Sequence, residues 1–357
     1  MSPSRPRDRR ALLVRGALAA VVLWATALPA QEPERYVFSD TDIAFYNLVG
    51  ELRIEGGTGP NVVIDVVRGG ADADRLAVET GRIEGRPAFR VLYPSDRIVY
   101  RGRSRASRST VRVREDGTFG GRRGGSRPVT ISGSGSGLEA WADVHVRVPA
   151  GARAAFHLAV GRVEVANVDG EIVVDVGAAP IEAAGARGRL RLDTGSGAVV
   201  VRDAEGEVEI DTGSGGVTVA GVRGSRLHVD TGAGRVTGEA LDVEHLNVDT
   251  GSGSIRLGGV RARDVRLETG SGAVDLELLA GVDRLEIDTG LGSVSLIVPP
   301  SLDANLEIDT GSGGIDVDGL VLQRIEQRRS YLLARSGQGT GTIRIDTGSG
   351  SVRVRGS

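Results

Sequence analysis

Eight acidic residues, Asp193, Asp211, Asp230, Asp249, Glu268, Asp288, Asp309 and Asp346, each open an acid-Thr-Gly triplet in the C-terminal half of a 357-residue chain, mostly 18 to 21 residues apart. Asp-Thr-Gly loops are the chemistry of aspartic proteolysis, in which two facing carboxylates share one proton. That geometry needs two lobes meeting about a pseudo-twofold axis, whereas a serial array makes a ladder of equivalent turns. A carboxylate ladder could instead hold Ca²⁺, because neighbours about 4.8 Å apart repel by about 1 kcal/mol in water and a cation or turn N–H groups would offset this. The spacing lacks the glycine-rich nonapeptide of Ca²⁺-binding β-rolls, so structural Ca²⁺ is the one metal carried forward and no cofactor is expected. The preferred reading is structural: the acid closes the turn by accepting backbone N–H bonds, Thr continues the strand, and Gly permits the bend. His145, His157, His228 and His245 are scattered singly. His228 and His245 fall at different positions relative to the acid and do not form a ligand pair on adjacent repeats.

The elements that carry these acids follow from the flanking register. One and three positions before each acid the chain is aliphatic, as in Leu227 and Val229 or Leu246 and Val248, and the residue between is polar or charged: Arg191, Glu209, His228, Asn247, Arg266, Glu286, Glu307, Arg344. Six positions after the acid another aliphatic residue recurs, from Val199 to Val352. This period-2 alternation marks strands with one buried face, so each repeat reads as strand, turn, strand, turn. An antiparallel barrel of about 16 strands would have a lumen that short aliphatics cannot fill. Two sheets about 10 Å apart can be filled by Val, Leu and Ile alone, and the stretch from His157 to Ser330 contains no aromatic residue. The expected fold is therefore all-β: a parallel β-solenoid, or β-helix, with coils of about 19 residues and two short strands each, right-handed by preference, preceded by a less regular β cap. At roughly 4.8 Å per coil, eight to ten coils make a rod about 40–50 Å long.

Composition gives the address. Arg5, Arg7, Arg9, Arg10 and Arg15 precede the apolar run Gly16 to Leu28, which ends in small residues. Residues 1–30 thus read as a secretory signal peptide, too short for a comfortable membrane span, with a loose twin-arginine resemblance around Arg9-Arg10. The chain is expected to be exported, to the periplasm, the cell surface or the medium. The absence of Cys excludes disulfides, thiolate metal sites and a lipidated cysteine. Five arginines against Asp8 give the leader +4, and removing it from a net −3 leaves about −7 on the mature chain.

That charge is unevenly spread. The segment Arg97 to Arg127 carries ten arginines against Glu115 and Asp116, for a net +8. Within it Arg101, Arg103, Arg105, Arg108, Arg112, Arg114, Arg122 and Arg123 are the candidate contacts for an anionic envelope polymer or another surface protein. The segment has only Tyr100 and Phe119 for base stacking, so nucleic acid is not an expected partner. The domain reading is residues 31–96 as N-terminal β cap or first coils, 97–137 as a flexible Arg/Gly/Ser-rich insertion, and 138–357 as the repeat domain. The 37-residue gap between Asp309 and Asp346 equals two periods, so residues 320–335 read as an unmarked coil, a short helix or an excursion off the stack. The chain ends on Val352-Arg353-Val354-Arg355, expected to be an open edge capable of weak self-association.

The Asn47-Leu48-Val49-Gly50-Glu51-Leu52 opening, the Val146-Arg147-Val148-Pro149-Ala150-Gly151 segment and the serial Thr-Gly-Ser-Gly turns together resemble a family of exported bacterial adhesin-like proteins carrying a β-strand-repeat domain of unknown function. The resemblance covers nearly all of the mature chain. It implies a cell-envelope role and supplies no catalytic residues, and the arginine-rich segment lies outside the family pattern. The expected function is an exported, non-enzymatic, adhesin-like or structural envelope module. The alternative is a carbohydrate-active β-helix enzyme, a polysaccharide lyase or hydrolase. Uniform short turns and aromatic-free coils argue against the converging acids and sugar platforms such a site needs.

Overall fold

The computed structural model describes residues 33–120 and 127–357. The leader read at residues 1–30, and with it Arg122 and Arg123, lie outside the described residues.

Strands pair in parallel and in register from one repeat to the next. Leu190, Leu192 and Thr194 oppose Val208, Ile210 and Thr212, and Val199 and Val201 oppose Val217 and Val219. The same pairing runs on through Arg223–Thr231, Val236–Thr250 and Ile255–Thr269 to Arg284–Thr289 and Val294–Val298. The inward residues are almost wholly buried, with Leu246 at 2% and Val248 at 1% exposure, while Asn247 between them is partly exposed. Two sheets of aliphatic rungs thus face each other, each rung too thin to hold an aromatic ring.

Aromatic packing is confined to the N-terminal end. Phe45 stacks on Phe89 at 5.4 Å and lies 6.0 Å from Phe156, with Tyr36 edge-on to Phe89. There Asp42–Gly56 is itself a rung, parallel to Ala152–Ala166 on one side and to Arg86–Leu92 and Trp141–Val148 on the other. Antiparallel strands finish that end: Ala77–Ile83 on one sheet, Val62–Gly69 and Glu34–Phe38 on the other.

The structure decides three expectations. Within 97–137, Arg97–Val99, Arg108–Val113 and Arg127–Ser132 form a separate three-stranded sheet, not a flexible insertion. Its inner face, with Ile98, Val113, Val129 and Ile131 buried, supplies the apolar burial that the arginine count concealed. Of the three readings of residues 320–335, the structure has neither coil nor helix but an excursion from the parallel coil pattern: Gln323–Gln327 and Tyr331–Ser336 make an antiparallel hairpin that pairs onto Ala304–Asp309. The C-terminal strand is also not an edge. Val352–Gly356 pairs with Val294–Val298 on one side and Ile315–Asp318 on the other, and Gly341–Thr347 lies between Arg284–Thr289 and Ala304–Asp309. The last coil in sequence is therefore the penultimate rung in space, and Ile315–Asp318 ends that sheet.

Candidate functional site

In seven of the eight repeats the turn that follows the acid is closed by threonine, not by the acid. Thr250 is fully buried, donates its hydroxyl to Gly234 O (3.1 Å) and accepts Gly253 N–H (3.0 Å). The same two bonds recur at Thr194, Thr212, Thr231, Thr269, Thr289 and Thr347. The second glycine of the motif is required by close approach: a Cβ on Gly253 would sit 1.8 Å from Gly234 O on the preceding rung. Thr-Gly-Ser-Gly is thus a stacking corner whose hydroxyls form a ladder along the rod.

The acids point outward from that corner. Asp175 opposes Asp193, which opposes Asp211, and the file runs on through Asp230, Asp249, Glu268, Asp288 and Asp346 to Asp309. Among the eight predicted turn acids, only Asp309 accepts a turn N–H, from Gly311 at 3.0 Å. Burial, then the neighbouring carboxylates Asp175 and Asp211, push Asp193 up to about 6, and Asp249 is raised for the same reasons, with Asp230 and Glu268 beside it. At the head of the file His157 stacks on Tyr46 at 4.6 Å and hydrogen-bonds Asp175 at 3.1 Å. His145 and His245 likewise each face one carboxylate, Glu55 and Asp264. Among the described residues no three metal-ligating side chains converge.

On other files of the rod, opposite charges face each other from rung to rung. One column reads Asp169, Arg187, Glu205, Arg223, Asp242, Arg261 in consecutive register. Ion pairs such as Arg189–Glu207 (2.6 Å), Arg263–Asp283 (2.8 Å) and Arg266–Glu286 (3.1 Å) join successive coils.

The three-stranded sheet departs from this pattern. Period-2 alternation along Arg108–Val113 exposes Arg108, Thr110 and Arg112 and turns Val113 inward. Thr110 opposes Thr130, which opposes Arg97, and Arg108 opposes Ser132, so three arginines share one face with hydroxyl side chains. Arg97, Arg108 and Arg112 are exposed and form no ion pair among the described residues. Arg105 is exposed on the adjoining loop.

The other predicted contacts serve the fold. Arg101 is bound bidentately by Glu139 at 2.8 Å; Arg103 donates to Ser109, its pKa lowered by burial; Arg114 donates to Thr118 and Gly120. Sequence reasoning missed Arg97 as a site residue, since only cross-strand register brings it beside Arg108. The Arg-Ser-Thr-Val-Arg-Val alternation was the available signal for the other two.

Fold and site define a parallel β-solenoid, capped by antiparallel strands on both sheets at its N-terminal end and on one sheet at its C-terminal end, that carries a basic side sheet. Residues 142–355 match the family described as Toastrack DUF4097, a domain of unknown function, and the chain belongs to that family. No curated protein matches the chain. A solved structure of a candidate cell-adhesion protein from Clostridium sporogenes ATCC 15579 aligns over 91% of this chain and 100% of its own, at 9% identity and a TM-score of 0.20, and at that similarity carries no argument. No helix among the described residues is long and apolar enough to cross a membrane.

Proposed function

We propose that the protein is an exported, non-enzymatic, adhesin-like envelope module that attaches to anionic polymer through the outer face of its three-stranded sheet. The observation that carries this reading is the trio Arg97, Arg108 and Arg112, which share one exposed face with Thr110, Thr130 and Ser132 and form no ion pair among the described residues. Guanidinium forks bind sulfate, phosphate and carboxylate oxygens bidentately, and neighbouring hydroxyls add donors. The arginine-led apolar N-terminus supports export. In this reading the stack serves as a spacer that holds the basic sheet at one end.

Retention on a heparin column, as a sulfated polymer of defined charge, tests the attachment. The native protein should elute only at raised salt, and R97S/R108S/R112S should elute close to the void with an unchanged melting temperature, because all three side chains are exposed. Equal retention of the two proteins would contradict the assignment.

A further inference from the structure

The three arginines of the basic sheet surround one spot. Arg97–Val99, Arg127–Ser132 and Arg108–Val113 lie side by side in that order. Arg97, Thr130 and Thr110 form one cross-strand row, and Arg108 and Arg112 stand two positions to either side of Thr110. At about 4.8 Å between strands and about 3.3 Å per residue, the three arginine Cα atoms mark a triangle with sides of about 12–13 Å. Its centre falls between Thr110 and Thr130, about 7 Å from each arginine Cα, which an extended arginine side chain can reach.

The surroundings leave that spot open and positively charged. Neither threonine hydroxyl makes a hydrogen bond among the described residues, whereas the Ser132 hydroxyl donates to Ser134 O at 2.9 Å. The carboxylates that adjoin the sheet are engaged or turned away from it. Asp96 holds Arg127 at 2.7 Å and Glu139 holds Arg101 at 2.8 Å. Glu115 and Asp116 lie past the end of the strand that carries Arg112, in the tight turn closed by Arg114 N–H on Thr118 O. On the far side of Arg97 the chain passing Leu138 brings up Gly137, where a Cβ would lie 3.2 Å from that of Arg97. Glycine at that close approach leaves the arginine room to fold across the face.

From this geometry we infer that the sheet holds a phosphomonoester, seated on the Thr110 and Thr130 hydroxyls with a guanidinium from each of Arg97, Arg108 and Arg112 around it. The inference rests on the attachment reading above and narrows it, assigning the same face to one class of anion. Two neutral donors and three cations around one point suit a compact tetrahedral dianion. A phosphomonoester carries about −1.5 to −2 at pH 7 on three acceptor oxygens, whereas a sulfate ester or a uronate carboxylate carries a single charge. Because the face is open, the fourth oxygen points to solvent and carries the ester link to the polymer.

Titration calorimetry of the native protein at fixed ionic strength tests it, comparing methyl phosphate with methyl sulfate, a singly charged ester of the same shape, and with acetate. At pH 7.5 methyl phosphate should bind about tenfold more tightly than either, the effect of one further charge among three cations. At pH 5, below its second pKa of about 6, methyl phosphate is mostly a monoanion and that advantage should all but vanish. Arginine stays charged throughout and the sheet carries no histidine, so the change belongs to the ligand. T110V/T130V, which keeps β-branched side chains on both strands, should lose the preference for methyl phosphate while its arginines still retain it on heparin. Inorganic phosphate should bind no more tightly than the methyl ester. Equal affinities for the three organic anions at pH 7.5, a preference undiminished in T110V/T130V, or a markedly tighter hold on inorganic phosphate would overturn the inference. Equal heparin retention of the native protein and R97S/R108S/R112S would instead overturn the attachment reading beneath it.

Discussion

Thr250 and Asp249 are neighbours with opposite tasks. The threonine hydroxyl satisfies a donor and an acceptor on a buried corner; the aspartate, beside two other acids, satisfies none. Thr250→Val keeps the shape and leaves Gly253 N–H and Gly234 O unpaired, which should cost about 1–3 kcal/mol in chemical denaturation. Asp249→Asn should leave stability equal or slightly higher. A larger loss from the aspartate change would return the turn to the acid. At this scale the sequence misleads, because Asp, Thr and Gly are all turn-formers and the triplet does not say which side chain turns inward. The strand alternation did hold that information: the position after an outward acid is inward, and a buried hydroxyl must find partners.

Each rung is an element that cannot bury its face alone, and the acid file shows what stacking imposes on it. The folded-state pKa of Asp193, about 6, lies above that of an unfolded aspartate, so its neutral form is favoured by folding. The stability this contributes is full below about pH 4 and is lost as pH rises through 6. Carboxylates with lowered values, among them Asp65 under Arg35 and Arg147, work in the opposite sense, and their contribution falls away only at more acid pH. Thermal unfolding should therefore occur at a higher temperature at pH 5 than at pH 7.5, and Asp193→Asn should flatten that dependence. A native protein already less stable at pH 5 would count against the stacked file. The repeat length, the two inward faces and the aromatic-free core were legible in the sequence because periodicity reports burial directly. The rung order at the C-terminal end was not. Asp288, Asp309 and Asp346 sit in the same motif, so the pattern fixes how a coil stacks and leaves open which coil it stacks upon.

At the scale of the whole molecule the two charge systems are separated. A stack cross-paired from coil to coil carries one continuous acid file, and the arginine sheet projects from the residues between its early rungs. Counting arginines located that segment, but its three-stranded fold and the division between Arg97, Arg108 and Arg112 on one side and Arg101, Arg103 and Arg114 on the other depend on pairings between distant strands. Export and electrostatic attachment together make the central claim, and fractionation of the native cells with a salt wash addresses both. The protein should be found with the envelope, resist washing at low ionic strength, and be released near 1 M salt, where the Debye length falls to about 3 Å. Recovery in the cytosolic fraction, or retention on the envelope that salt does not alter, would contradict the account.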